Sequence, residues 1–189
     1  MTDDTGHPTH TSAGQSGLES VRAFYVQQHT ACRAIIDSSL SQDNVAVHAP
    51  SHEFASELEQ CATVLATRRE VVLYEIATRE FQFALLALVQ GQYRNAFKDL
   101  RLVLELVLQG VLLSTNRLEL EEWLAGHKDT VWDKIIDADN GVLSPRFCRA
   151  FFPDLRDDVR HYQVMAAQLY RECSECVHGN AYTHIPVPD

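Results

Sequence analysis

The sequence predicts an all-α fold: a helical bundle of long antiparallel helices, with short helices between the last two long ones. Three observations carry that prediction. Apolar residues recur at steps of three and four along most of the chain, the spacing that lines one face of a helix. Alternating, strand-like patterns are absent. Gly (8) and Pro (6) are few and fall near the ends or between the helical runs.

Residues 1–16 are rich in Thr, Ser, Gly and His. They offer too little apolar surface to offset ordering, so a disordered tail is expected, and His7 and His10 are read as part of it rather than as metal ligands. A single helical domain then spans 17–180, and 181–189 form a second tail, AYTHIPVPD, too Pro-rich for a helix. The first helix runs from Leu18 to Leu40 with a stripe of Leu18, Val21, Tyr25, Cys32, Ile35 and Ile36. Ser41 to Pro50 is a linker. From Ser51 the helical pattern resumes through Phe54, Leu58, Cys61 and Leu65, and continues through Val72, Ile76, Phe83 and Leu86 to Gln90. That length calls for a break near Ala66 to Glu70. Arg68, Arg69 and Arg79 on this stretch read first as solvated charges with i,i+4 partners, and only second as a nucleic-acid patch.

Gly91 separates the next helix, Tyr93 to Leu113, which is apolar nearly all round from Leu100 onward and is expected to be buried on most sides. Arg101, Glu105 and Gln109 interrupt it at steps of four, as one narrow polar stripe. Arg101 and Glu105 can pair along the helix. Desolvation can cancel the attraction of such a pair, so it is either a structural pair fixing helix register or part of a site. Short helices follow over Arg117 to Ala125, Lys128 to Asp137 and Ser144 to Phe152, with Trp123 and Trp132 as packing anchors. DADNG at Asp137 to Gly141 lacks the full calcium-loop ligand pattern and reads as a turn.

The last long helix, Leu155 to Asn180, has Leu155, Val159, Tyr162, Ala166, Leu169, Cys173 and Cys176 or Val177 on its apolar side. Asp154 is its expected N-cap, and Gly179 and Asn180 its stop. At about 100° per residue, Arg171 points nearly opposite the stripe, and His178 returns to within about 20° of the same direction. Asp157, Val164, Arg171, Glu175 and His178 therefore share one face. The rise from Arg171 to His178 is about 10 Å, so a ligand or partner surface between them is easier than direct contact.

Composition bounds the function. A net charge of -10 argues against coating duplex nucleic acid through its phosphates, but leaves room for a small local site. Five cysteines (Cys32, Cys61, Cys148, Cys173 and Cys176) are scattered through helical segments and read as buried free thiols of a reducing cytosol. No signal-peptide pattern and no membrane-length apolar run is found, which makes a cytoplasmic protein the expectation. Cys173, Cys176 and His178 spell CxxCxH. A c-type haem needs His directly after the second Cys, and zinc would find three ligands at most, so two thiols near a helix end are expected instead. No cofactor or metal is expected.

An Arg followed after six residues by His, at the end of the last long helix, resembles the signature of the HEPN superfamily. LYRECSECVHGN, preceded by RNAFKDLRLVLELVLQGVLL, is similar to a bacterial HEPN-like group, over roughly Tyr93 to Asn180. The resemblance implies a metal-independent endoribonuclease, acting as a toxin or an antiviral defence effector with an RNA substrate. His178 would serve as general acid or base and Arg171 would stabilise phosphate charge. The resemblance further implies Glu105 as the acidic residue from an earlier helix, oriented by Arg101, with Glu175 and Asn180 as flanking binding residues. It implies a site assembled in a homodimer, and an antitoxin or defence-system partner. Tyr182 lies four positions after His178, where some HEPN toxins carry a modified Tyr two positions on. The alternative is a non-catalytic HEPN-like helper that binds a nucleotide or a partner protein. The charge of -10 and the six-residue spacing, at the long end of the motif, favour that alternative.

Overall fold

The computed structural model describes the backbone of residues 11–178 and the side chains of residues 16–177. Among the described residues there are eight α-helices and no strand: α1 (Thr11–Ser39), α2 (Ala49–Val64), α3 (Val71–Val89), α4 (Tyr93–Leu113), α5 (Arg117–Leu124), α6 (Trp132–Ile135), α7 (Pro145–Phe151) and α8 (Val159–His178). Short 3-10 turns at Val45–His48 and Pro153–Leu155 lead into α2 and toward α8. The fold is an all-α helical bundle, with three short helices between the long α4 and α8.

α4 is the central element. α3 and α8 both pack against it, α3 the more extensively. Between Asp99 and Leu113 only Leu102 is exposed, as the apolar sequence there demands. The α3–α4 crossing is close because Gly110 has no side chain: a Cβ there would lie 2.8 Å from the Tyr74 ring. The turn between the two helices is made by Gly91, whose φ of +75° a side chain would strain. The main core joins Leu58 of α2, Leu73, Ala77 and Phe81 of α3, Val103, Leu106 and Leu113 of α4 and Leu120 of α5. A second, smaller core gathers Ile135, Val142 and Phe147 under Leu108 and Leu112.

Local sequence explains the short elements. Asn116 caps α5 by accepting from the Glu119 amide at 3.2 Å. Ser144 caps α7 in the same way for Phe147 at 3.1 Å, and Pro145 takes the first helical position, where a missing N–H is harmless. The DADNG segment is a turn: Asp137 Oδ1 accepts from the amides of Asp139 (3.1 Å) and Asn140 (2.7 Å). Those amides hold the Asp137 carboxyl below its usual range.

The expected break falls where the sequence placed it, between Val64 and Val71. Other boundaries shift. α6 covers only Trp132–Ile135, and α8 begins at Val159 rather than at Leu155, because Pro153–Leu155 form a separate 3-10 turn. Asp154 lies within that turn and caps nothing on α8. α1 starts at Thr11, inside the segment expected to be a tail; residues 1–10, with His7 and His10, and the 181–189 tail lie outside the described residues.

The larger departure concerns what α1 buries. Leu18, Val21 and Tyr25 lie on the predicted stripe, yet they are 71%, 54% and 67% exposed. Residues 16 to 31 are exposed without exception, and only Cys32, Ile36 and Ser39 are half-buried. The helix touches the body at its C-terminal end, where Ile35 lies against Gly91. The two cores gather residues of α2 to α7, and among the described residues the first half of α1 contributes to neither.

The cysteines are all free, but not all buried: Cys148 and Cys173 are, Cys32 and Cys176 are half-buried, and Cys61 is exposed. Burial pushes the Cys173 thiol up to about 11, against an ordinary 9.0. Because the folded value lies above the unfolded one, the stability gained by keeping this thiol neutral is present below pH 9.0 and is lost as pH rises through about 11. Alkylation at pH 8 is therefore expected to label Cys61 first and Cys173 only after unfolding, with the urea midpoint falling between pH 9 and 11. Mass spectrometry of the labelled peptides checks the order. Rapid labelling of Cys173 in the native protein would contradict this packing.

Candidate functional site

Helical spacing sets the geometry of α8. Val159, Ala166 and Cys173, each seven residues apart, are 4%, 8% and 0% exposed and face α4. Asp157, Val164, Arg171 and Glu175 lie on the opposite, exposed side, as the spacing predicts. The Arg171 side chain is 70% exposed, and its Nε lies 3.9 Å from Glu175 Oε1, an i,i+4 pair of the kind that contributes little in water. α8 reaches His178 as its last helical residue. The His178 side chain, Gly179, Asn180 and Tyr182 lie outside the described residues.

Arg101 and Glu105 form the expected pair, with Nε 3.1 Å from Oε1 and the two side chains 28% and 17% exposed. Their third member is Tyr170, one residue before Arg171. Arg101 Nη2 donates to the Tyr170 hydroxyl. The guanidinium carbon also lies 4.5 Å from the centre of the Tyr170 ring, a cation–π distance. The other side of that ring stacks on Trp132, at 3.9 Å and 5° between planes. Burial first, and then the Glu105 carboxylate, raise the Tyr170 hydroxyl above its ordinary value of 10.0. It therefore stays a neutral donor and acceptor at physiological pH.

Within one chain, then, Glu105 is engaged with Arg101 and Tyr170, while Arg171 projects into solvent about 100° further round α8. The cluster ties α4 to α8 and, through Trp132, to α6. Tyr170 was legible in principle: it follows Ala166 by four residues and precedes Cys173 by three, which puts it on the core side of α8.

Several of the remaining arginines are paired. Arg68 meets Glu70 at 2.6 Å, Arg69 meets Glu121 at 2.8 Å and Arg79 meets Glu80 at 3.2 Å. All three arginines have acidic partners and make no bare basic patch, but none of those partners is at the expected i,i+4 spacing: two are near neighbours in sequence and Glu121 comes from α5. Arg156 pairs with Asp157 at 3.1 Å, and Arg146 donates to Asn140 at 2.7 Å. In the CxxCxH segment Cys173 is fully buried in the core. No cluster of three or more His, Cys, Asp or Glu able to hold a metal is found among the described residues. No helix among them is long and apolar enough to cross a membrane.

An open apolar groove of about 660 Å³ runs between α4 and α8. Leu104, Leu108, Leu155, Tyr162, Met165 and Leu169 line it, together with the polar Gln168 and Glu172. Tyr162 and Leu169, expected in the core, are 39% and 38% exposed here, because α4 covers only half of the apolar side of α8.

No family model, no curated protein and no solved structure matches this chain.

Proposed function

We propose that this chain is a HEPN-like helper that works by binding a protein partner rather than by cleaving RNA. The observation that carries the reading is α1: a helix whose residues 16 to 31, with Leu18, Val21 and Tyr25 among them, are all exposed. Exposed apolar patches of this kind mark interaction sites. Two further points agree. Glu105 is held by Arg101 and Tyr170, so the acid that a catalytic set would recruit is already engaged. The charge of -10, with the arginines mostly paired, offers RNA little attraction.

A second reading, a metal-independent endoribonuclease acting as a toxin or defence effector, is favoured by one observation. Arg171 stands exposed on the face of α8 that His178 rejoins seven residues later. In that reading the guanidinium would stabilise phosphate charge and His178 would move the proton of a 2'-hydroxyl.

One experiment separates them. Purified wild type, Arg171→Ala and His178→Ala are incubated with mixed single-stranded RNA in EDTA, and each is induced in growing cells. The helper reading expects intact RNA and normal growth for all three. Cleavage and growth arrest by the wild type, lost in either variant, would replace it with the nuclease reading.

A further inference from the structure

We propose that the cleft between the α2–α3 connection and the start of α5 receives an acidic side chain of the protein partner. This rests on the binding reading above and gives the chemistry of one contact.

The break between α2 and α3 makes the cleft. The Arg68 amide donates to the Leu65 carbonyl at 2.8 Å, and the Val71 amide to the Arg68 carbonyl at 3.3 Å. These turns carry Arg68, Arg69 and Glu70 to the end of α4, where Arg117 faces them from the first position of α5. With Leu113 and Leu120 they line an open space of about 520 Å³.

Two of the three guanidiniums already grip a carboxylate, one oxygen each. Arg69 Nη2 donates to Glu121 Oε2 at 2.8 Å, and Arg117 Nε to Glu121 Oε1 at 2.7 Å. Arg68 is matched by the buried Glu70, with Nε 2.6 Å from Oε1. The pairing is therefore three cations to two anions, which leaves one positive charge at the cleft. Glu119 and Glu122, the other carboxylates of α5, act on Lys128 instead. One added carboxylate balances that charge. A phosphate group, at about -1.5 to -2 near neutral pH, exceeds it. The Arg69 and Arg117 side chains are 54% and 73% exposed, so they can turn from Glu121 to a second carboxylate at little cost. Glu121 is thus an internal competitor that keeps the clamp assembled while the cleft is empty of partner. The space is far larger than a carboxylate group fills, which leaves room for the peptide backbone that carries it.

The test is a nuclear magnetic resonance titration of the full chain with blocked Ala-Glu-Ala, against blocked Ala-Gln-Ala, acetate and inorganic phosphate. The acidic peptide is expected to give a saturable shift of the Arg69 and Arg117 Nε–H signals that added salt weakens, and the Gln peptide none. Arg69→Gln and Arg117→Gln are each expected to weaken binding about tenfold, with far-UV circular dichroism unchanged and Arg79→Gln as a neutral control. Glu121→Gln is expected to strengthen it about fivefold, the weight of one exposed ion pair, an effect that a purely structural Glu121 would not produce. No shift with the acidic peptide overturns the proposal. So does a Glu121→Gln variant that binds no better than the wild type. Equal binding of acetate, or tighter binding of phosphate, overturns the peptide as occupant. The two proposals fail separately: a chain that ignores the peptide and leaves RNA intact loses only this cleft, whereas Arg171-dependent RNA cleavage removes the binding reading whatever the titration shows.

Discussion

Replacing Leu73 with Ala lowers stability by about 3 kcal/mol, within the 2–5 kcal/mol typical of a buried leucine. Leu73 is 0% exposed in the main core, with Ala77, Phe81, Val103, Leu106 and Leu113 around it. The loss combines the transfer free energy of the removed methyl groups with the cavity left behind. That cavity closes poorly, because α3 cannot shift toward α4 where the Tyr74 ring already lies against Gly110. Urea denaturation measures the change, with an unaltered slope as the sign that the unfolded state is the same. Val164→Ala, on the exposed side of α8 at 65% exposure, is the control and changes stability by about 0.5 kcal/mol or less. A Leu73→Ala cost below about 1 kcal/mol would mean that α3 and α4 are not packed as described.

Arg101→Met has the second largest expected effect, about 2 kcal/mol of destabilisation, because the hydrogen bonds to charged groups are lost and a carboxylate is left with its main partner gone. Glu105 is only 17% exposed and keeps just the Tyr170 hydroxyl nearby. The variant retains the bulk of the side chain, so lost packing contributes little. Adding Glu105→Gln should recover about half of the loss, since the stranded charge goes with it. Arg101→Lys should restore the charge but not the planar group over the Tyr170 ring, and so falls between the two. A full double-mutant cycle by thermal unfolding reads the coupling. If Glu105→Gln brings no recovery in the Arg101→Met background, the pair is not coupled as its 3.1 Å separation implies.

The sequence spoke clearly wherever periodicity alone decides structure. Steps of three and four gave the helices, the excessive length of one helical run gave the break before Val71, and a spacing of four gave the Arg101–Glu105 pair. It was silent on what covers each apolar side. The stripes of α1 and α8 have the same spacing, yet Cys173 is sealed in the core while Leu18 faces water. Spacing identifies which side of a helix avoids solvent, but the covering surface comes from residues far along the chain, or from another chain. The same gap hid Tyr170. Its partners Arg101 and Trp132 lie 69 and 38 residues earlier, and nothing local announces that they meet.

The placement of α4 between an adjacent partner and a remote one has a kinetic consequence. α3 and α4 are joined by a tight turn at Gly91, so their pairing closes a short loop and can form early, even while the chain is still being synthesised. The α4–α8 contact must wait for the last helix to emerge. Until then, one flank of a helix that is mostly apolar from Leu100 onward stands bare, which makes the nascent chain most prone to aggregate just before its final segment arrives.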